Sequence, residues 1–168
     1  FQDNVTATNV NVNAGTSTFQ DNLTATTTTI TTGTGNFNTV SGTTTSNLQF
    51  TDNGTANLNN GLTGNVTTTA DNKGTLNLVG SNNQTVSGDV GVGNALKDVN
   101  SGVTGTTSTF NGTVNSQNVT NTGTGATTFQ DNVTATNVNV NAGTSTFQDN
   151  LTATTTTITT GTGTFNTL

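Results

Sequence analysis

The side chains able to do chemistry in this chain are few. There are eight carboxylates, all Asp, two lysines (Lys73 and Lys97), and a large stock of Thr and Ser hydroxyls. His, Cys, Glu, Arg, Tyr and Met are absent, and with them most of the groups that serve as general acids, bases and redox centres. A threonine nucleophile needs a base such as a lysine or a free N-terminal amine. Nothing in the spacing brings Lys73 or Lys97 beside a reactive hydroxyl, and each sits next to an acid, in Asp71-Asn72-Lys73 and Lys97-Asp98. Both lysines are read as solvated. The expectation is that the chain is not an enzyme and has no catalytic, cofactor-binding or metal-binding residues.

The acids offer one alternative. Asp3 and Asp21, and again Asp131 and Asp149, fall at the same phase of a repeat. Stacked one coil apart, each pair would bring two carboxylates close enough to share a calcium ion, with the Asn4 and Asn22 amides as further oxygen ligands. The simpler reading is that they point into water at a turn and cap local backbone N–H groups. The glycine-rich calcium nonapeptide of toxin-type repeats is missing, and Thr39 stands where a third Asp would fall. Capping is the favoured reading.

Two polar runs also invite a function. Thr26-Thr27-Thr28-Thr29-Ile30-Thr31-Thr32, repeated at 154–160, suggests an ice-binding face, which needs Thr-x-Thr in successive coils. Here the preceding coil puts Asn9 under Thr27 and Asn11 under Thr29, so that rank is interrupted. Asn9-Val10-Asn11-Val12-Asn13 could build internal amide ladders or lie on the surface.

Bulk composition narrows the field further. A net charge of −6 with two basic residues repels a phosphate backbone. No apolar run approaches the ~20 residues of a membrane-spanning helix. No signal peptide is visible and residue 1 is not Met, which fits an internal fragment of a longer protein. At 27% hydrophobic residues disorder is an option. The absence of Pro and Glu and the regular spacing of β-favouring Thr, Val, Phe and Ile argue against it.

The elements that carry these residues follow from two periods. Residues 1–40 return as 129–168, changed only at Asn36 (Thr164) and Val40 (Leu168). The chain thus reads as one β-solenoid segment: a full large repeat, 1–128, followed by the start of the next, 129–168. Tandem copying of this kind marks scaffolds, stalks and binding fibres. Inside the large repeat lies a shorter one. Phe1, Phe19 and Phe37 are evenly spaced, and Phe129, Phe147 and Phe165 repeat the same spacing. Phe-Gln-Asp-Asn recurs at 1, 19, 129 and 147, with Phe50-Thr51-Asp52-Asn53 as a variant. Alternating stretches follow, such as Val5-Thr6-Ala7 and Val10-Asn11-Val12, the pattern of strands with one buried face.

Such an echo of the same residue types predicts an all-β fold, a right-handed parallel β-helix with about 18 residues per coil. Phe1 should stack under Phe19, Val5 under Leu23 and Ala7 under Ala25. Roughly nine coils at ~4.8 Å each would make a rod near 45 Å long. The short Phe37–Phe50 interval and the Phe-free stretch 54–109 leave the coil register of 41–109 unassigned.

Residues 74–91 (GTLNLVGSNNQTVSGDVG), 94–98 (NALKD) and 108–114 (STFNGTV) resemble passenger repeats of bacterial autotransporters, in particular surface antigens of the rickettsial outer-membrane type. The resemblance covers these segments well, and the rest of the chain only in composition and rhythm. It implies a secreted β-helix displayed outside the cell, on the bacterial surface, in adhesion or as a coat. The expected partners are neighbouring repeats, other copies of the chain and a host or neighbouring cell surface, with no nucleic acid and no membrane insertion. Two roles follow: an extracellular rod or stalk, and a self-assembling fibre or sheath.

Overall fold

The computed structural model describes residues 1–166. It is an all-β parallel solenoid of about eight turns, with turns on average slightly longer than the sequence echo suggests. Seventeen strands occur among the described residues. In chain order they are β1 (Val5–Val12), β2 (Thr16–Phe19), β3 (Leu23–Ile30), β4 (Thr34–Phe37), β5 (Thr44–Phe50), β6 (Thr55–Leu58), β7 (Val66–Thr68), β8 (Lys73–Leu78) and β9 (Gln84–Val86). They continue with β10 (Leu96–Ser101), β11 (Thr107–Phe110), β12 (Val114–Asn121), β13 (Ala126–Phe129), β14 (Val133–Val140), β15 (Thr144–Phe147), β16 (Leu151–Ile158) and β17 (Thr162–Phe165). They form a four-stranded sheet β1-β3-β5-β7, an eight-stranded sheet β2-β4-β6-β8-β10-β12-β14-β16, and a five-stranded sheet β9-β11-β13-β15-β17.

The long strands each turn a corner. In β3 the inward residues are Leu23 and Ala25, then Thr28 and Ile30, with Thr26 and Thr27 between them facing out. The alternation therefore slips by one residue, and the ladder to β1 lapses at Thr8 opposite Thr26. The same slip recurs in β14 around Thr136. Each coil thus has three short faces, and its core is filled by a few inward side chains per coil, mostly Phe, Leu, Val and Ile. That is why a chain only 27% hydrophobic still closes a continuous core.

The expected stacking is present. Val5 pairs with Leu23 and Ala7 with Ala25. The rings of Phe1 and Phe19 lie 4.9 Å apart, those of Phe19 and Phe37 5.3 Å, with interplanar angles of 5° and 3°. Phe110, Phe129, Phe147 and Phe165 form a second stack at 4.9–5.4 Å.

The period expected from sequence holds only near the two ends. Down the eight-stranded sheet the steps are 18 (Phe19 to Phe37), 21 (Phe37 to Leu58), 20 (Leu58 to Leu78), 23 (Leu76 to Val99), 20 (Val99 to Val119), 19 (Val119 to Val138) and 18 (Val138 to Thr156). Extra residues bulge at corners, as at Thr39–Ser41, where Val40 is 72% exposed. Asn38 opens that corner with φ at 56°, which Asn tolerates better than other side chains. Its amide donates to the Asp21 carbonyl at 2.8 Å, and its oxygen accepts from the Thr44 hydroxyl. Eight turns at ~4.8 Å give a rod of about 38 Å, shorter than the nine expected coils would make.

The register of 41–109 is now assigned. Phe50 is not a further member of the Phe1 stack. It pairs with Ile30 and Thr68, while Phe37 pairs with Leu58. The short Phe37–Phe50 interval is a step to another face. One column runs Val10, Thr28, Leu48, Val66, Val90, Val114, Val133, Leu151. Val133 is the sequence copy of Val5, yet it stands in the column of Val10. Between copies the chain makes six turns and one further face. The second copy is described to residue 166, and Leu168, one of its two differences from the first, lies outside the described residues.

Candidate functional site

Most of the acids act along the rod as links between coils or caps of local backbone. Asp71 accepts from the Ala95 N–H at 2.7 Å, and Asp89 from the Thr113 N–H and hydroxyl at 3.0 and 3.1 Å. Asp98 accepts from Thr75 on one side and Asn118 on the other, at 3.2 and 2.9 Å. Lys73, read from sequence as solvated beside Asp71, instead reaches back one coil to Asp52, with Nζ 2.7 Å from the carboxylate. That hydrogen bond, a second from the Asn53 backbone and the lysine charge hold Asp52 below the usual carboxylate range.

The calcium alternative lacks its amide ligands. The Asn4 side-chain oxygen accepts from the Asn22 side-chain amide at 2.8 Å and from its backbone N–H at 3.2 Å, and the Asn22 oxygen accepts from the Thr43 N–H at 2.8 Å. Asp21 accepts from the Ser41 hydroxyl. Asp131 and Asp149 accept from the backbone N–H of Asn132 and Asn150, at 2.6 and 2.8 Å, which is the capping geometry. Among the described residues no three acids gather into one cluster. One depression, about 230 Å³, is lined by neutral side chains including Thr43, Asn60, Thr63, Asn83 and Ser87.

Outward faces are where regular chemistry accumulates. On the eight-stranded sheet Asn57 donates to Asn36, Asn77 to Asn57 and Asn100 to Asn77, each at 2.8 Å. Asn137 continues a parallel row, donating to Asn118 at 2.9 Å. Amide ladders therefore exist, but they lie on the outer side of the sheet. Asn9, in the run that suggested them, pairs with Thr27. Asn57 and Asn77 stand between inward apolar residues, in Ala56-Asn57-Leu58 and Leu76-Asn77-Leu78.

Measured against protein-family models, curated proteins and solved structures, the chain matches none. What it can do is therefore argued from its own surfaces. The Thr26–Thr32 run is interrupted as expected, with Thr27 between Asn9 and Asn47 and Thr29 between Asn11 and Gln49. A threonine rank that composition alone does not reveal lies elsewhere, on the five-stranded sheet. There Thr85, Thr109, Thr128, Thr146 and Thr164 form one column.

The interior carries polar contacts, among them a seam in the later coils. Ser101 and Thr127 share a hydrogen bond of 2.9 Å, and the Asn121 amide donates to the Gly125 and Thr144 carbonyls and to Ser145 at 3.2–3.3 Å. The Asn121 side-chain oxygen is buried without a partner among the described residues. The seam knits two faces together where no Phe fills the corner.

Proposed function

We propose that this chain is an extracellular repeat segment of a bacterial surface protein, a structural rod that sets reach for adhesion or display. The observation that carries the reading is the unbroken column from Val10 to Leu151, with acids and amides bonded from coil to coil. Length is built by stacking alone, and each coil contacts mainly its neighbours. The likeness of residues 74–114 to autotransporter passengers supports export to the cell surface. Antibody raised against the chain should label intact cells of the source bacterium, and brief protease shaving should remove the label. Labelling that requires permeabilisation would overturn the reading.

A second reading is a self-assembling fibre or sheath, in which copies of the stacked rod associate with one another. Sedimentation of the isolated chain with electron microscopy separates the two. End-to-end filaments support the fibre, and a stable monomer supports the stalk.

A further inference from the structure

We propose that the outer face of the five-stranded sheet binds ice. Two columns of side chains stand on it: Thr109, Thr128, Thr146 and Thr164 in one, and Thr107, Ala126, Thr144 and Thr162 in the other. Three of these four successive coils therefore present Thr-x-Thr. Coils repeat at about 4.8 Å and alternate residues on a strand at about 6.6 Å, which makes a two-dimensional grid of methyl and hydroxyl groups. The coil spacing lies close to the shorter repeat of water oxygens on a prism face of hexagonal ice, and the along-strand spacing is somewhat shorter than the longer repeat.

The grid is regular for stated reasons. Pairing from β11 to β17 runs residue for residue without a shift. Threonine is β-branched and restricted at χ1, which limits the scatter of its hydroxyls along a column. Phe110, Phe129, Phe147 and Phe165 stack behind it with interplanar angles of 9°, 8° and 4°, which holds the sheet level.

The face is also neutral: every charged residue of the chain lies outside these five strands. An uncharged array with ordered hydroxyls suits a partner that is itself uncharged, periodic and made of water. On the eight-stranded sheet the matching positions follow another course. Asn36, Asn57, Asn77 and Asn100 bond to one another there, which ties up one N–H donor of each of the last three. Of the two differences between the copies, Asn36 against Thr164 falls on this distinction. Asn36 begins the amide ladder, and Thr164 extends the threonine column. This inference is independent of cell-surface display and would stand if that reading fell.

The test is ice-growth arrest by the whole 168-residue chain in a nanolitre osmometer, with ice-affinity partition as a second readout. The expected result is a gap between melting and freezing points with faceted crystals. Thr146→Tyr, which raises a ring out of the plane, should lose most of that gap. Thr24→Tyr, on the exposed Thr6-Thr24-Thr45 column of the four-stranded sheet, should retain it. Circular dichroism melts establish that each variant folds, and Thr128→Tyr replaces Thr146→Tyr should the latter not. A folded wild-type chain that neither arrests growth nor partitions into ice overturns the proposal. So does equal loss in Thr24→Tyr and Thr146→Tyr. Binding of this face to insoluble chitin, or self-association through it, without ice activity assigns the other occupants and equally overturns it.

Discussion

Phe19 and Phe147 are copies of one another in the duplicated sequence, and they face the core from different sheets. Phe19 belongs to the eight-stranded sheet on β2, and Phe147 to the five-stranded sheet on β15. Both are buried, at 2% and 1% exposure. For this pair, burial survives the change of sheet, and the sheet is set by the number of residues intervening.

Truncation of either ring should cost the same order of stability despite the change of sheet. Phe19→Ala and Phe147→Ala each remove a buried aromatic and should cost about 3–5 kcal/mol. Thr27→Ala, on an outward position, should cost under about 0.5 kcal/mol. Urea unfolding of the three variants is the measurement, and similar losses in all three would refute the assignment of inside and outside.

The assigned register of the middle coils has a chemical test. Thr85 pairs with Thr109 on neighbouring strands, so a double Thr85→Cys, Thr109→Cys variant should oxidise to an intramolecular disulfide. Mobility on non-reducing gels reads it. A reduced or intermolecular product would mean that β9 and β11 are not neighbours.

The amide ladder should resist a charge. Asn57 donates to Asn36 and accepts from Asn77. In Asn57→Asp a carboxylate oxygen meets the Asn36 oxygen in place of a donor, at a cost of about 1–3 kcal/mol. The new carboxyl's folded pKa should be raised, so the loss is largest at neutral pH and shrinks as acid protonates it. A melting temperature equal to wild type at neutral pH would argue against the ladder.

Asp52 gives the opposite sign. Its folded pKa is lowered, chiefly by the hydrogen bond from Lys73. The associated stability is fully present above the ordinary carboxylate range and is lost as pH falls through the lowered value. The pair is substantially exposed, so the effect is small. Melting temperatures of wild type and Asp52→Asn should differ at neutral pH and converge in strong acid. Divergence toward acid would contradict the pairing.

Gly61 marks a close approach between coils. Its φ is +87°, and an added Cβ would lie 2.8 Å from the Thr85 nitrogen. Gly61→Ala should cost more than the ~1–2 kcal/mol of left-handed strain alone, because backbone of the next coil stands in the way. An unchanged melting curve would place this corner elsewhere.

Legibility followed the regularity of the coils. Phe1, Phe19 and Phe37 could be stacked by sequence because equal spacing and equal residue type coincide. Asn36, Asn57, Asn77 and Asn100 could not, since their steps are unequal, at 21, 20 and 23, and corner insertions hide a register that the backbone restores. Val66, Val90 and Val114 are joined only by isolated bridges, which a periodicity search in that stretch does not detect. The threonine column was visible in principle as TSTF, ATTF, TSTF and TGTF, each ending on a stacked Phe. The denser run at Thr26–Thr32 is the louder signal, and it lies on another sheet.

The advance of six turns and one face between copies limits valency. A receptor, antibody or crystal plane that recognises a patch on Thr16–Phe19 finds the matching sequence at Thr144–Phe147 on a different side of the rod. Two such sites cannot both lie against one flat surface. A planar partner therefore cannot engage two successive copies of the repeated sequence at once, whereas a partner able to wrap around the rod can.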